Sequence, residues 1–124
     1  KLFFNNDNLD PEFFCDKVFP VERIIAETQA PARRALELLL QGLSSIDEQN
    51  GFFTSINPDV QIQSLSIKDG VAKVDFNDQL EFQVGGSCRV AAIRAQITQT
   101  LKQFPTVKEV IISINGRTED ILQP

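Results

Sequence analysis

The residue types that most often perform chemistry in proteins are scarce in this sequence. It contains no histidine, so neither a Ser–His–Asp triad nor a Cys–His pair can form. Its two cysteines, Cys15 and Cys88, lie 73 positions apart without a CxxC motif, whereas zinc sites need clustered ligands. The cysteines allow three interpretations. The first is a reactive Cys88 thiol beside Arg89 at a helix start. The second is a pair of buried thiols and the third is one long-range disulfide, and composition does not distinguish the second from the third.

Carboxylates are the remaining candidates for chemistry. Asp75, Asp78 and Glu81 follow one another closely, and Asp47 and Glu48 lie earlier in the chain. Paired carboxylates can perform acid–base catalysis or hold Ca²⁺. Their spacing matches no EF-hand loop, however, and a solvated turn explains them as well. A carboxylate-only enzyme is therefore the weakest of the functional hypotheses.

The pair Gly85-Gly86 stands before a predicted helix without a GxGxxG or Walker A context. A helix N-terminus can hold an anion, but helix capping explains the same residues. We therefore expect no catalytic residue, no metal ligand and no cofactor-binding residue, and predict that the chain is not an enzyme.

The net charge and the length of the chain exclude further classes of function. The 124 residues carry a net charge of −5, and no basic run is longer than Arg33-Arg34. Nucleic acid and anionic membranes both require a basic footprint, so neither is an expected partner. No apolar stretch approaches the roughly 18 residues of a membrane span. We expect one domain, residues 1–124, excerpted from a longer precursor whose targeting segment is gone.

The first half of the chain is predicted to hold two extended segments and a helix. Residues 1–5 and 18–25 are extended, and Pro20, which lacks an N–H, predicts an edge position or a bulge in the second segment. The helix has Thr28 as N-cap, Pro31 in its first turn and Gly42 at its end. Its buried face is Ala32, Leu36, Leu39, Leu40 and Leu43, and Leu38 points away. Residues 43–59 form an irregular loop whose Phe52-Phe53 pair packs partly on the core.

The second half is predicted to hold a hairpin, a helix and a strand. The hairpin arms are 60–67 and 71–76, with a turn at 68–70 and a bulge between Ile62 and Leu65. The helix covers 88–104, with Ser87 as N-cap candidate. Its apolar stripe is Val90, Ile93, Ile97, Leu101 and Phe104, and its wetter side is Arg89, Gln96, Gln99 and Gln103. A strand at 107–115 and a loose tail follow.

Helices with one apolar stripe each must bury it against a sheet. The order of elements therefore predicts an α+β fold. It is a two-layer sandwich with two helices on one face of a mostly antiparallel sheet.

Five motifs in order resemble the GerMN domain of bacterial sporulation and spore-germination lipoproteins. They are VFPVER (18–23), PARRALELLLQG (31–42), TSINP (54–58), DGVAKVDF (69–76) and TLKQFP (100–105). Leu43-Ser44 departs from the family, where a Pro-Thr is common after the helix. The resemblance covers about residues 1–116 and implies a fold similar to the ring-building motif of secretion-system proteins. It favours a disulfide between Cys15 and Cys88.

The resemblance also implies an extracytoplasmic module of a cell-envelope lipoprotein, without catalytic residues to carry over. A membrane contact is then expected only through a lipid anchor absent from this sequence. Two functional hypotheses remain open. The first is an interaction or structural module that contacts an envelope protein, with homo-oligomerisation possible, through the Pro20 strand or exposed phenylalanines. The alternative is a small-ligand or cell-wall-glycan binding domain, with residues 43–59 and Gly85-Gly86 framing a groove.

Overall fold

The computed structural model describes residues 1–10, 14–24 and 29–122 of the chain. Among these residues, six strands and three α-helices follow one another as β1 (Leu2–Asn6), β2 (Phe19–Val21), α1 (Pro31–Gln41), α2 (Ser45–Gln49), β3 (Phe52–Phe53), β4 (Ile62–Lys68), β5 (Val71–Phe76), α3 (Ser87–Lys102) and β6 (Glu109–Ile114). One 3₁₀ turn, Asp78–Leu80, lies between β5 and α3.

The first sheet has the order β2-β1-β3, with β1 antiparallel to both neighbours. Pro20 pairs with Phe3 in the outer strand β2, as predicted, because a residue without an N–H is tolerated at an edge. Leu2 and Phe4 of β1 point into the core. The central strand of this sheet is therefore the one that joins it to the rest of the molecule.

The second sheet has the order β4-β5-β6. Strands β4 and β5 form the predicted hairpin, and Asp69 and Gly70 both adopt positive φ at its turn. The register shifts between Ile62 and Ser64, which confirms the predicted bulge. β6 runs parallel to β5, so the chain crosses over between them through α3.

Both long helices form where the apolar spacing predicts them, but their N-caps differ from the prediction. α1 begins at Pro31 with Ala30 as its N-cap, and Thr28 lies outside the described residues. α3 begins at Ser87 with Gly86 as its N-cap, at φ 87°. Ser87 is therefore the first helical residue and its side chain does not cap, because the glycine takes the bend that precedes the helix.

The α+β class is confirmed, with the strands divided between two three-stranded sheets. α3 contacts β1 on one sheet and β6 on the other, and α1 packs against α3 and β1. Strand β1 pairs with β2 and β3, whereas β4 and β6 both pair with β5, so the strands form two sheets. One continuous core results, in which Phe4, Leu36, Phe76 and Ile97 are fully buried.

Three further predictions are wrong in detail. The segment 43–59 contains α2 and β3, and its Phe52 packs against the core as expected. Leu38 is partly buried against the core. The tail is not loose where it is described, since Ile121 and Leu122 are buried and the Ile121 carbonyl accepts a hydrogen bond from Arg94 at 3.2 Å.

Candidate functional site

The predicted cluster of carboxylates is divided among separate structural roles. The Asp75 carboxylate accepts hydrogen bonds from Ser113 Oγ at 2.6 Å and from the Gly116 amide at 2.8 Å. Glu81 pairs with Arg117 at 2.7 Å, and this contact raises the pKa of the Arg117 guanidinium. Each of these two acids therefore has a local partner that explains its position.

Asp47 is also structural. With Ser44 it forms a capping box at the start of α2, in which the Asp47 amide donates to Ser44 Oγ at 3.2 Å. Its carboxylate forms an ion pair with Arg23. Burial acts to raise the pKa of Asp47, but hydrogen bonds from Arg23 and Ser44 outweigh it, so this pKa lies below its ordinary value. Neighbouring Glu48 is exposed.

No group of three or more His, Cys, Asp or Glu side chains with the geometry for a metal ion occurs within residues 1–10, 14–24 and 29–122. In the same part of the chain, every buried side-chain nitrogen or oxygen has a hydrogen-bond partner. Asp47, Asp75 and Glu81 are thus engaged at three separate places in the fold.

Cys15 and Cys88 form a disulfide, the pairing that the family resemblance implies. Cys88 is the second residue of α3, and the bond ties the segment after β1 to the start of this helix. The described residues contain no free cysteine, so Arg89 has no thiol to activate. The Arg89 guanidinium instead donates to the Ser55 carbonyl at 3.2 Å and to the side chain of Asn57.

A cavity of about 340 Å³ lies beside the disulfide, and we call it the disulfide cavity. Its walls include Phe53 and Ser55 from the 43–59 segment together with Gly85 and Gly86. The structure therefore brings together the two segments that the ligand-binding hypothesis places around a groove.

The wall of the disulfide cavity includes two buried polar residues, Asn5 and Asp10, and both make hydrogen bonds. The Asn5 side-chain oxygen accepts from Ser55 Oγ at 2.7 Å, and its amide nitrogen donates to the Cys15 carbonyl at 3.3 Å. The Asp10 carboxylate accepts from the Phe14 amide at 3.0 Å.

A groove of about 820 Å³ lies at the other end of α3, beside the outer strand β4. We call it the β4 groove. Its apolar lining consists of Ala30, Pro31, Leu65, Ile67, Phe104 and Pro105. Arg33, Asp69 and Lys108 supply charge at the same groove. The sequence alone does not predict it, because its walls come from three separate stretches of the chain and no local pattern joins them.

One polar face of α3 packs against other segments, which the sequence analysis does not predict. Thr100 Oγ1 accepts from the Phe3 amide at 3.2 Å, and Gln103 Nε2 donates to the Lys1 carbonyl. Gln96, predicted to lie on the wetter side, is 0% exposed. It is buried because the segment after β3 covers that side of the helix. The spacing of positions 96, 100 and 103 is a helical face that could have indicated a second packing surface.

Fold and surface together define an α+β module with one long-range disulfide and an apolar groove along a sheet edge. A family model described as sporulation and spore germination, named Germane, matches residues 1–120. The chain therefore belongs to the Germane family and is a GerMN domain.

The chain is similar to the spore germination protein GerM of Bacillus subtilis strain 168. The two are 26% identical over 121 residues, which are 95% of this chain and 31% of GerM. The chain thus spans about a third of this relative. The solved first GerMN domain of B. subtilis GerM is 26% identical, with a TM-score of 0.61 over 82% of this chain and 73% of that one.

A candidate lipoprotein from Clostridium perfringens shares the fold, with a TM-score of 0.64 at 19% identity over 86% of this chain and 69% of that one. No helix in the described part of this chain has both the length and the apolar character that crossing a membrane requires.

Proposed function

We propose that the chain acts as one GerMN-like module, residues 1–124, of an extracytoplasmic lipoprotein in the cell envelope, where it binds another protein during sporulation- or germination-like processes. Membership of the Germane family and the similarity to GerM support the assignment to a sporulation-related envelope lipoprotein. The β4 groove is the observation that carries the binding role.

The β4 groove has the properties of a protein-binding surface. Its walls are mostly aliphatic or aromatic, and contiguous exposed apolar surface of this kind marks interaction sites. β4 lies at the edge of its sheet, with β5 as its single strand partner among the described residues. An edge strand beside apolar pockets can receive an extended segment of a partner, whose alternate side chains enter the groove.

The arrangement of acidic groups supports binding over catalysis. Asp47, Asp75 and Glu81 each hold a separate structural contact, at the α2 cap, at β6 and at Arg117 respectively. Glycoside hydrolysis by a carboxylate pair requires two such groups that flank one bond of the substrate. The groove that is large enough for a partner is lined by one carboxylate, Asp69.

Site-directed photo-crosslinking in the intact envelope tests this proposal. A crosslinking residue in place of Ile67, which is 37% exposed and lines the groove, is expected to capture a specific protein. The matched control replaces Ser66, since successive side chains of a strand point to opposite faces. Equal labelling from both positions, or none from position 67, would contradict a groove-mediated contact.

A second candidate function is the binding of a small ligand or a cell-wall glycan in the disulfide cavity. It is favoured by the position of Phe53, which is exposed at the cavity and offers a flat face to a sugar ring. Titration with soluble peptidoglycan fragments, followed by NMR, should then shift the amide signals of Ser55 and Gly86. The Phe53→Ala variant should lose those shifts, and an unchanged spectrum of the wild type would rule this candidate out.

A further inference from the structure

The outer strand β4 presents backbone groups at the same two positions whose side chains line the β4 groove. Its two-residue turn, Asp69-Gly70, closes on the pair Lys68–Val71, which exchanges both backbone hydrogen bonds in a hairpin of this type. Hydrogen-bonded and non-hydrogen-bonded pairs alternate along an antiparallel ladder, so Leu65 and Ile67 belong to the second kind. Their N–H and C=O groups therefore point away from β5, toward the open edge of the sheet.

This part of the edge is unprotected. Among the described residues, no backbone hydrogen bond joins Leu65 or Ile67 to a segment outside the hairpin. Proteins usually protect an outer strand with a charge, a proline or a bulge. The outer strand β2 carries Pro20, and the bulge of β4 lies before Ser64. The stretch 64–67 has neither a charge nor a proline, so it can pair with a strand from another chain.

Space for a partner continues along β4. A second cavity, of about 370 Å³, lies between α1 and residues 60–62 at the start of the strand. Arg33 lines both this cavity and the β4 groove. The 7 residues of β4 extend over about 23 Å, so a partner segment of similar length would lie beside both cavities.

The charges along this path leave one positive charge in excess. Glu37 pairs with Arg33 and with Arg34, at 3.6 Å each, so two guanidinium groups share one carboxylate at the second cavity. Lys108 and Asp69 line the β4 groove, and Lys108 makes no ion pair in the part of the chain that the structure describes. Three cations thus stand beside two carboxylates, in a chain whose net charge is −5.

From the open backbone and this charge we infer that the partner of the β4 groove supplies an extended segment that adds to the sheet beside β4, with apolar side chains at alternate positions and an acidic side chain near Arg34. The backbone of the segment pairs with Leu65 and Ile67, and its apolar side chains enter the groove. Its carboxylate offsets the guanidinium charge that Glu37 alone does not balance. The inference rests on the proposed function and names the class of segment that the same groove binds.

Selection of displayed heptapeptides on the oxidised 124-residue chain tests this class. Peptides that bind the wild type but not Ile67→Glu should carry apolar residues at positions i and i+2 and Asp or Glu toward one end. A carboxylate at position 67 is costly to desolvate in an apolar contact. The matched control Ser66→Glu places the same charge on the other face of β4 and should bind the selected peptides like the wild type. Thermal unfolding confirms that both variants are folded.

Backbone N-methylation of the best selected peptide tests the strand pairing and needs no variant of the protein. Every second N–H of an added strand faces its neighbour, so methylation at alternate positions should raise the Kd by about tenfold or more. Methylation at the intervening positions should leave the Kd nearly unchanged. Fluorescence anisotropy measures each Kd, and a scan without alternation would overturn the strand addition.

The preference for an acidic segment is tested at Arg34. Arg34→Gln should raise the Kd of the selected acidic peptide by about twofold to fivefold at low salt, and the difference should shrink at high salt. The matched control Lys73→Gln removes one positive charge from the face of the sheet that carries Ser66, so it should bind like the wild type. Equal binding by Arg34→Gln and the wild type would overturn the acidic part of the inference.

Failure of the inference is distinct from failure of the proposed function. If position 67 crosslinks an envelope protein but no peptide is selected, or the methylation scan shows no alternation, the groove binds a folded surface and the inference is wrong. If the peptides bind as expected but position 67 crosslinks nothing in the envelope, strand addition stands as a property of the groove and the proposed function fails.

Discussion

Gln96 has a structural role in the fold that its polar residue type does not indicate. Its side-chain oxygen accepts from the Ser55 amide at 2.8 Å, and its nitrogen donates to Thr54 Oγ1 at 3.1 Å. Gln96 itself has no exposed surface, and both bonds are partly buried. An amide that satisfies two groups in a low-dielectric interior fixes the segment after β3 against α3.

Replacing Gln96 with Ala should therefore destabilise the protein. The Ser55 amide loses its acceptor, and a buried unsatisfied group costs about 1–3 kcal/mol. Urea denaturation should report this loss in the free energy of unfolding. The matched control is Gln99→Ala on the exposed side of the same helix, which should change that energy by less than about 0.5 kcal/mol. Equal effects of the two substitutions would contradict the buried role of Gln96.

At the scale of elements, the segment 43–59 contains secondary structure that local sequence patterns do not predict. α2 has 5 residues and β3 has 2, and neither is long enough to show a period. The capping box Ser44-x-x-Asp47 is a readable start signal for α2. Asp47 is a candidate for carboxylate chemistry by residue type alone, and the capping box gives it a structural role instead. β3 exists because β1 offers it a partner, so no local signal for it is to be expected.

Because of Asp47, the stability of α2 and of the Asp47–Arg23 ion pair should depend on pH. The pKa of Asp47 is lowered in the folded protein, so its contribution to stability is present above the unfolded value of about 3.9 and is lost as the pH falls through the lower folded value. The wild type should exceed the Asp47→Asn variant in unfolding free energy at pH 7, and the difference should shrink on acidification below about pH 4.

Urea unfolding across this range measures the difference between the two proteins. Glu48→Gln, at the next and exposed position of the same helix, is the control and should match the wild type throughout. A constant gap between the wild type and Asp47→Asn down to pH 2 would mean that the ion pair with Arg23 does not set the stability of this segment.

At the scale of the whole molecule, α3 is the element that joins the parts. It contacts β1 in one sheet and β6 in the other, and its two ends adjoin the disulfide cavity and the β4 groove. The Cys15–Cys88 bond adds a covalent connection across a sequence separation of 73 residues. The position of the first sheet on α3 therefore depends on polar contacts, apolar packing and one covalent bond.

Reduction of this disulfide should lower the stability of the whole chain. In the chain-entropy model, a bond that closes a loop of this length stabilises by about 4 kcal/mol. Guanidinium unfolding with and without a reductant measures the difference. The double variant Cys15→Ser/Cys88→Ser should resemble the reduced wild type and respond to no reductant. Two titratable thiols in the denatured, unreduced protein would show that the bond does not form.

The sequence by itself determined the α+β class, both long helices and the hairpin with its bulge, and it limited Pro20 to a sheet edge or a bulge. Each of these features follows from local steric or periodic rules, which act between residues close together in the chain. The motif order identified the family. Only the tertiary structure decided the burial of Gln96 and of Ile121, the pairing of β3 with β1, and the β4 groove. All four result from contacts between distant segments, whose free energy depends on how the elements pack.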